Sequence, residues 1–401
     1  MSQCSRVRGG VLLVSGTTIG AAMLALPVST GVAGFLPSLL VFVCVWLYLG
    51  FTGLLVLETT LWMDSESNMI SMARETLGRK GAILSWVAYL FLLYSLLTAF
   101  LAAGSGILVD ALEAWTEVDL PDWMGPLPLV LVFGYFVFRG IALVDWINQI
   151  FMGGLLFSYI LLVAALSFHV DLDLTAHQNW SYVLPASFVV VTSFGYHIII
   201  PSLANYLERN VVELRKVILI GSAVPFFVYV LWEFMNLGII PQEGPYGILF
   251  GQEQGMSSTT LVARLLDKPW ISILARVMAS CAIITTFLGV ALSLSDCLSD
   301  GFNVEKTASG RLLLSGLTFI PPLLIYWSYP AIFLTALDIA GAFGVVILLA
   351  LMPALMVWSG RYYQKREGTF QAPGGKLALL IVIALSVLLI FVKLLLSIGI
   401  I

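Results

Sequence analysis

Apolar runs of roughly twenty residues or more alternate with short polar breaks along the whole chain. A membrane-crossing helix needs about 20 apolar residues. Eleven stretches meet or approach that length: residues 9–32, 35–61, 82–109, 127–144, 149–168, 183–207, 216–240, 270–296, 311–329, 331–358 and 377–401. Tyr326, Trp327, Tyr329 and Pro330 read as an interfacial turn between the ninth and tenth. The first stretch is a poor helix. Ser15-Gly16-Thr17-Thr18-Ile19-Gly20 puts two glycines and two threonines in its middle, and Pro27 follows. Glycine costs about 1 kcal/mol against alanine in a helix interior, and threonine loses rotamer freedom there. At membrane depth, freed backbone groups are tolerated where they line a polar cavity. The pattern therefore predicts a broken helix beside a site for a small polar solute.

The sixth stretch repeats the pattern. Thr192-Ser193-Phe194-Gly195-Tyr196-His197 sets a glycine among polar residues, and Pro201 follows. Tight helix packing through small residues explains one such run more easily than two. First and sixth correspond if residues 1–168 and 183–358 are two five-helix halves and 377–401 is an extra helix. An odd number of spans per half makes the second half enter the membrane from the opposite side. The expected fold is all-α and integral to the membrane: eleven helices, a 5+5 inverted repeat, helices 1 and 6 discontinuous.

Composition agrees with the pattern. Of 401 residues, 60% are hydrophobic and 10% charged, which leaves too little polar surface to cover a soluble domain. Placing the N-terminus inside puts fourteen of the nineteen Lys and Arg on inner segments and two, Arg264 and Lys268, on outer loops. That bias predicts a cytoplasmic N-terminus and an external C-terminus in a multi-pass membrane protein. Arg6 and Arg8 imitate a secretory signal, yet the long glycine-broken run behind them reads as an uncleaved first helix. The loop 64–80 predicts a short amphipathic helix on the inner surface, from Met69, Ile70, Met72, Ala73 and Leu77. The acidic outer stretch 110–126 reads as a solvated loop, and 241–269 as irregular structure able to act as a lid. No basic patch suggests nucleic acid. Cys4, Cys44, Cys281 and Cys297 show neither metal spacing nor a disulfide framework, and neither a metal nor a cofactor is expected.

The string Gly16-Thr17-Thr18-Ile19-Gly20-Ala21-Ala22-Met23-Leu24-Ala25-Leu26-Pro27, with Ser193-Phe194-Gly195-Tyr196-His197 and Ile200-Pro201-Ser202-Leu203, resembles the hydroxy and aromatic amino acid permeases. These are bacterial tyrosine and tryptophan proton symporters of the amino acid–polyamine–organocation superfamily. Ala340-Gly341-Ala342-Phe343-Gly344 and Met352-Pro353-Ala354-Leu355-Met356 in the tenth stretch also look like that family. The likeness covers nearly the whole chain and is nearest to the tyrosine transporters. It implies import of an aromatic amino acid with a cation across the cytoplasmic membrane. Gly20, Ala21 and Ala22 would open a half-helix whose N–H groups and dipole suit the substrate carboxylate. Acceptors near Thr17, Thr18, Ser193, Phe194 and Gly195 would take its ammonium. Phe194 would meet the substrate ring, with Tyr94 and Phe287 as further aromatic candidates, for which helix packing is the competing explanation.

Charges inside spans are costly and invite functional readings. Glu233 is the first candidate for a proton-coupling carboxylate, with structural pairing the competing role. His197 flanks the second break and titrates near neutral pH in its unperturbed form. Asp338 is a third candidate. Glu58, Arg139, Arg276 and Asp296 lie toward span ends, where snorkelling or loop pairing accounts for them. Lys393 has no sequence-level explanation. Some proton-coupled members of the superfamily carry a lysine in the fifth span. Here it has none, which leaves a sodium site between span-one carbonyls and Ser293 as the alternative. A channel is the competing class, but no repeated filter is visible. Catalytic motifs such as His-Glu-x-x-His are absent, so an enzyme is not expected.

Overall fold

A computed structural model describes residues 3–63, 67–116, 121–139, 141–305 and 307–399. Parts of the loops 64–80 and 110–126, including Glu117 and Asp119, fall outside the described residues, as do Gly140, Lys306 and the last two residues of the final stretch.

Every regular element among the described residues is helical. The first apolar stretch is two helices, α1 (Gln3–Thr18) and α2 (Leu26–Thr30), separated by an extended Gly20 and a 3₁₀ turn at Ala21–Leu24. α3 (Phe35–Trp62) follows after a turn at Gly34, whose φ of 90° suits glycine. α4 (Met69–Thr116) is two helices joined at Gly78, where φ is 73° and ψ −166°. Its first part is the expected amphipathic helix. Met69, Met72, Ala73 and Thr76 are buried, while Arg74 and Glu75 are exposed. Its buried face lies on protein, where the Thr60 hydroxyl on α3 reaches the Met72 sulfur.

α5 (Pro126–Arg139) has 14 residues, shorter than the expected 127–144. α6 (Ile141–Leu166) begins well before residue 149, because Asp145 and Asn148 are accommodated within a helix rather than ending one. α7 (Leu172–Thr175) is a single turn capped by Asp171. The sixth stretch is again two helices, α8 (Val183–Ser193) and α9 (Ile200–Tyr206), with Phe194, Gly195 and Tyr196 between α8 and a 3₁₀ turn at His197–Ile199. α10 (Val211–Leu237) starts on an Asn210 cap whose side chain accepts from the Val212 and Glu213 N–H groups.

Residues 241–269 are not irregular. α11 (Ile248–Glu253) and α12 (Ser258–Leu266) occupy much of the segment. Ser257 caps α12, and a Ser-x-x-x start before apolar Leu261 and Val262 was the overlooked signal. α13 (Pro269–Phe302) and α14 (Ala308–Ser328) are long and largely apolar. The next span starts as α15 (Phe333–Ile339), winds as a π-helix over Ala340–Leu351, and ends as α16 (Met352–Tyr362). The expected turn between stretches nine and ten thus lies at residues 329–332. α17 (Gly375–Ser397) closes the chain.

Nine of these segments, among the described residues, are long and apolar enough to cross a membrane. They account for every expected stretch except the first, which is broken, and the fourth, which is short.

The bundle core is set by close backbone contacts. A Cβ on Gly221 of α10 would come within 2.6 Å of the Val14 Cβ on α1. One on Gly341 would come within 1.9 Å of the Phe188 carbonyl on α8. Small residues at such points let helices approach where no hydrophobic force drives them together.

Candidate substrate site at the two helix breaks

α1 stops at Thr18, and both Thr17 and Thr18 turn their hydroxyls back onto its last turn. Thr18 donates to the Val14 carbonyl at 2.7 Å, and Thr17 donates to Leu13. Gly20 then continues with φ −159° and ψ −161°, a conformation open to any residue. Glycine is needed for another reason: a Cβ there would sit 2.5 Å from the Thr286 hydroxyl oxygen on α13. That oxygen accepts from the Ala21 N–H at 3.0 Å and donates to the Ala282 carbonyl at 2.8 Å. The start of the second half of span one is therefore held against α13 by a single threonine. The N–H groups of Ala21 and Ala22 open a new helical segment, as expected.

α8 ends at Ser193, whose hydroxyl donates to the Val189 carbonyl at 2.9 Å. Thr192 donates to the Leu337 carbonyl on α15 at 2.7 Å, which fixes the end of α8 against the tenth span. At Gly195 a Cβ would meet Leu349 at 3.4 Å, an ordinary contact.

The two helix ends meet at Tyr229. Its hydroxyl lies 2.6 Å from the Thr18 carbonyl and 3.0 Å from the Ser193 carbonyl. Each carbonyl belongs to the last turn of a helix, the negative end of its dipole. Phe194 packs edge-on against the Tyr229 ring at 5.2 Å and against Phe42 of α3 at 6.5 Å. Tyr229 and Phe194 are both buried. The expected acceptors Thr18 and Ser193 are thus brought together, and so is the aromatic Phe194. Thr17 points its hydroxyl back at its own helix.

The weaker aromatic candidates lie elsewhere in the packing. The Tyr94 hydroxyl donates to the Leu317 carbonyl of α14 at 2.8 Å. Phe287 stacks on Phe319 at 5.8 Å and meets Phe133 at 5.7 Å. It follows Thr286 directly and so faces about 100° away around α13.

Among the ionisable candidates, Glu233 is fully buried one turn beyond Tyr229 on α10. The Thr30 hydroxyl at the end of α2 donates to its carboxyl, and Ser38 of α3 ties the same region by donating to the Thr30 carbonyl at 3.0 Å. No basic side chain among the described residues pairs with Glu233. The carboxyl therefore links α10 to α2 without a counter-charge. His197 shares a 2.8 Å hydrogen bond with Thr52 of α3 through Nε2, and its ring stacks on Tyr196 at 4.8 Å. Asp338 pairs with Lys393, whose ammonium also lies 5.5 Å from the Phe188 ring centre. That pair supplies the partner the sequence did not suggest for Lys393. Glu58 is buried and takes the second of its two expected roles, pairing rather than snorkelling. Arg361 and the Ala372 N–H both donate to it, the latter at 2.8 Å.

Ser293 lines a cavity of about 1050 Å³, together with Tyr89, Asp296, Arg74, Arg79 and Ile198. Ile198 lies three residues past Gly195, so the cavity reaches the far side of the second break. Ser293 is seven residues from Thr286, about 10 Å along the helix.

Sequence reading missed Tyr229 and Thr286. Thr285-Thr286 is a polar pair in the middle of an apolar span and was a usable signal. Tyr229 was not distinguishable from the chain's thirteen other tyrosines without its partners.

An all-helical membrane bundle with two interrupted helices ending on a shared polar point is the architecture of a solute permease. A model of the tryptophan/tyrosine permease family matches residues 3–393, and the chain belongs to that family. It is a multi-pass membrane transport protein and not an enzyme. The chain is similar to the tyrosine-specific transport system 1 of Haemophilus influenzae, 32% identical over 95% of this chain and 94% of that protein. It is also similar to the tryptophan-specific transport protein of Pseudomonas aeruginosa, at 29% identity over 94% of this chain and 92% of the relative. Among solved structures, a manganese transporter of Eremococcus coleocola, crystallised with an aromatic bis-isothiourea compound, shares the fold. Its TM-score is 0.57 at 13% identity, covering 98% of this chain and 85% of that one.

Proposed function

We propose that the protein imports an aromatic amino acid, tyrosine first and tryptophan next, across the cytoplasmic membrane together with a cation. The reading rests on one observation above all. The carbonyl ends of α1 and α8 converge within 3.0 Å of one hydroxyl, while a new helical start at Ala21 lies two residues past the α1 break. A zwitterion needs that pair of features. Carbonyls at two negative helix ends suit an ammonium, and the Ala22 N–H at the new helical start suits a carboxylate, the Ala21 N–H beside it being held by Thr286. Phe194 stands beside them to meet an aromatic ring. Gly20 lets the backbone come close to α13 at this point.

Residues 1–168 and 183–358 are read as inverted halves, with 377–401 outside the repeat and the N-terminus cytoplasmic. Broken segments at corresponding places in both halves favour this arrangement. The positive charge of the inner segments favours the orientation. Alternating access then follows from rocking of the halves about the breaks.

The coupling cation is a proton in this reading. Glu233 is the carrier, because it is a buried carboxyl without a basic partner that touches the end of α2. Asp338 is already paired with Lys393, and His197 bonds α3 rather than the broken first stretch, so both rank behind it, and Ser293 belongs to the sodium alternative.

The test is uptake of labelled tyrosine and tryptophan into proteoliposomes under separately imposed proton and sodium gradients. Saturable accumulation driven by an inward proton gradient and showing counterflow is expected. Accumulation driven only by sodium overturns the proton assignment. Flux without saturation or counterflow points to a channel instead.

A further inference from the structure

Three oxygens crowd together where α1, α8 and α10 meet: the carbonyls of Thr18 and Ser193 and the hydroxyl of Tyr229. They have one proton among them, the phenolic one. Both carbonyls lie within hydrogen-bond distance of it, and that proton makes one good hydrogen bond or two weak ones. Each carbonyl has a second lone pair, and the phenolic oxygen is itself an acceptor. Thr18, Ser193 and Tyr229 are all buried, so water does not readily supply the missing donors. The negative ends of two helix dipoles raise the demand further. The cluster is thus short of protons and suited to a cationic donor with several N–H groups.

We propose that Tyr229 is the third oxygen ligand of the substrate ammonium and the residue that makes the site demand an ammonium. This rests on the substrate reading above. An ammonium has three N–H groups for three oxygens. On loading, the phenol keeps its own proton on one carbonyl and accepts one N–H of the substrate. Its ring holds Phe194 edge-on at 5.2 Å. Recognition of the charged end and placement of the aromatic wall therefore pass through one side chain. Span seven thereby joins spans one and six as part of the site.

Tyr229→Phe tests this, since it removes one oxygen and preserves the ring. Binding is measured on the purified full chain in nanodiscs with three probes. They are tyrosine, tyramine (ammonium without carboxylate) and 3-(4-hydroxyphenyl)propanoate (carboxylate without ammonium). Tyrosine and tyramine are expected to weaken ten-fold or more in Kd, and the propanoate to change less than two-fold. Ten-fold corresponds to about 1.4 kcal/mol. Equal weakening of all three probes reduces Tyr229 to packing and overturns the proposal. So does unchanged or tighter tyrosine binding. If Tyr229→Phe does not fold, 3-fluorotyrosine at position 229 keeps the shape and hydroxyl while making the oxygen a poorer acceptor. A smaller loss confined to the two ammonium probes is then expected, and a loss shared by all three overturns the proposal. A wild-type protein that binds no aromatic amino acid overturns the substrate reading itself. One that binds them without an ammonium-selective loss in the variant overturns only the role of Tyr229.

Discussion

Replacing Lys393 by methionine strands the Asp338 carboxylate inside the bundle. In the native protein the lysine ammonium lies against that carboxylate and over the Phe188 ring, with the two side chains 14% and 20% exposed. Breaking a buried ion pair from one side costs about 3–5 kcal/mol. Asp338 is the sixth residue of the Phe333–Tyr362 span, so the roughly 2.5–3.5 kcal/mol that insertion scales give an unpaired Asp at a span centre is a ceiling for it. The overlap, about 3 kcal/mol, is the expected loss of stability for Lys393→Met, the partial exposure of Asp338 favouring the lower end. Asp338→Asn should cost less. The stranded lysine sits one turn before the end of α17 and can extend toward the interface. Removing both charges with Asp338→Asn and Lys393→Met should restore stability to within about 1 kcal/mol of wild type, because neither group is left alone. The assay is denaturant unfolding of the four proteins in one detergent, with the interaction energy taken from the cycle. A Lys393→Met protein as stable as wild type, or a double variant as unstable as the single, refutes the argument. Proton-driven uptake by the double variant adds a second readout. If it is stable yet cannot accumulate substrate, the pair belongs to coupling as well as to stability.

Three further outcomes are expected. Gly20→Ala forces the Thr286 hydroxyl away from the Ala21 N–H and should cost the folded protein about 1–3 kcal/mol in denaturant unfolding, the penalty for a buried polar group left unpaired. Adding Thr286→Ser, which keeps the hydroxyl but loses the β-branch that restricts its rotation, should recover part of that loss in the same unfolding assay, and no recovery would refute the hydroxyl contact as its cause. Glu233→Gln keeps the reach to Thr30 but not a dissociable proton, so counterflow exchange should persist while accumulation under a proton gradient falls, read side by side in proteoliposomes. Gly341→Ala places a methyl 1.9 Å from a backbone oxygen that cannot rotate away, so unfolding should occur at clearly lower temperature, whereas Gly195→Ala meets only a 3.4 Å contact and should leave the melting temperature nearly unchanged.

Much of this architecture was legible before any coordinates, because hydrocarbon restricts what a chain can do. Uninterrupted apolar runs announced α3, α10, α13 and α17 through length alone. The breaks at Gly20 and Gly195 were legible because glycine, threonine and serine weaken a helix locally, and each break shows as a lapse in an otherwise apolar run. What was not legible was pairing across distance. Lys393 looked anomalous since its partner is 55 residues earlier in the chain. Glu58 looked like an end-of-span charge, although Arg361 and Ala372 enclose it. Tyr229 carries no local mark: its role comes from two carbonyls contributed by other helices. α11 and α12 were overlooked because each is short, and a six- or nine-residue helix gives little periodicity to detect.

The short helix before Gly78 does more than decorate the surface. The Ser359 hydroxyl and the Gln364 amide, from the end of the tenth span and just beyond it, donate to its last carbonyls at Glu75 and Thr76. Arg366 adds an ion pair to Glu75. Residues on this same helix, Met69, Ile70, Ser71 and Arg74, line part of the large cavity. A displacement of the end of α16 would therefore pull directly on residues that line that cavity. One wall of the chamber is braced by a helix end almost three hundred residues away in the chain.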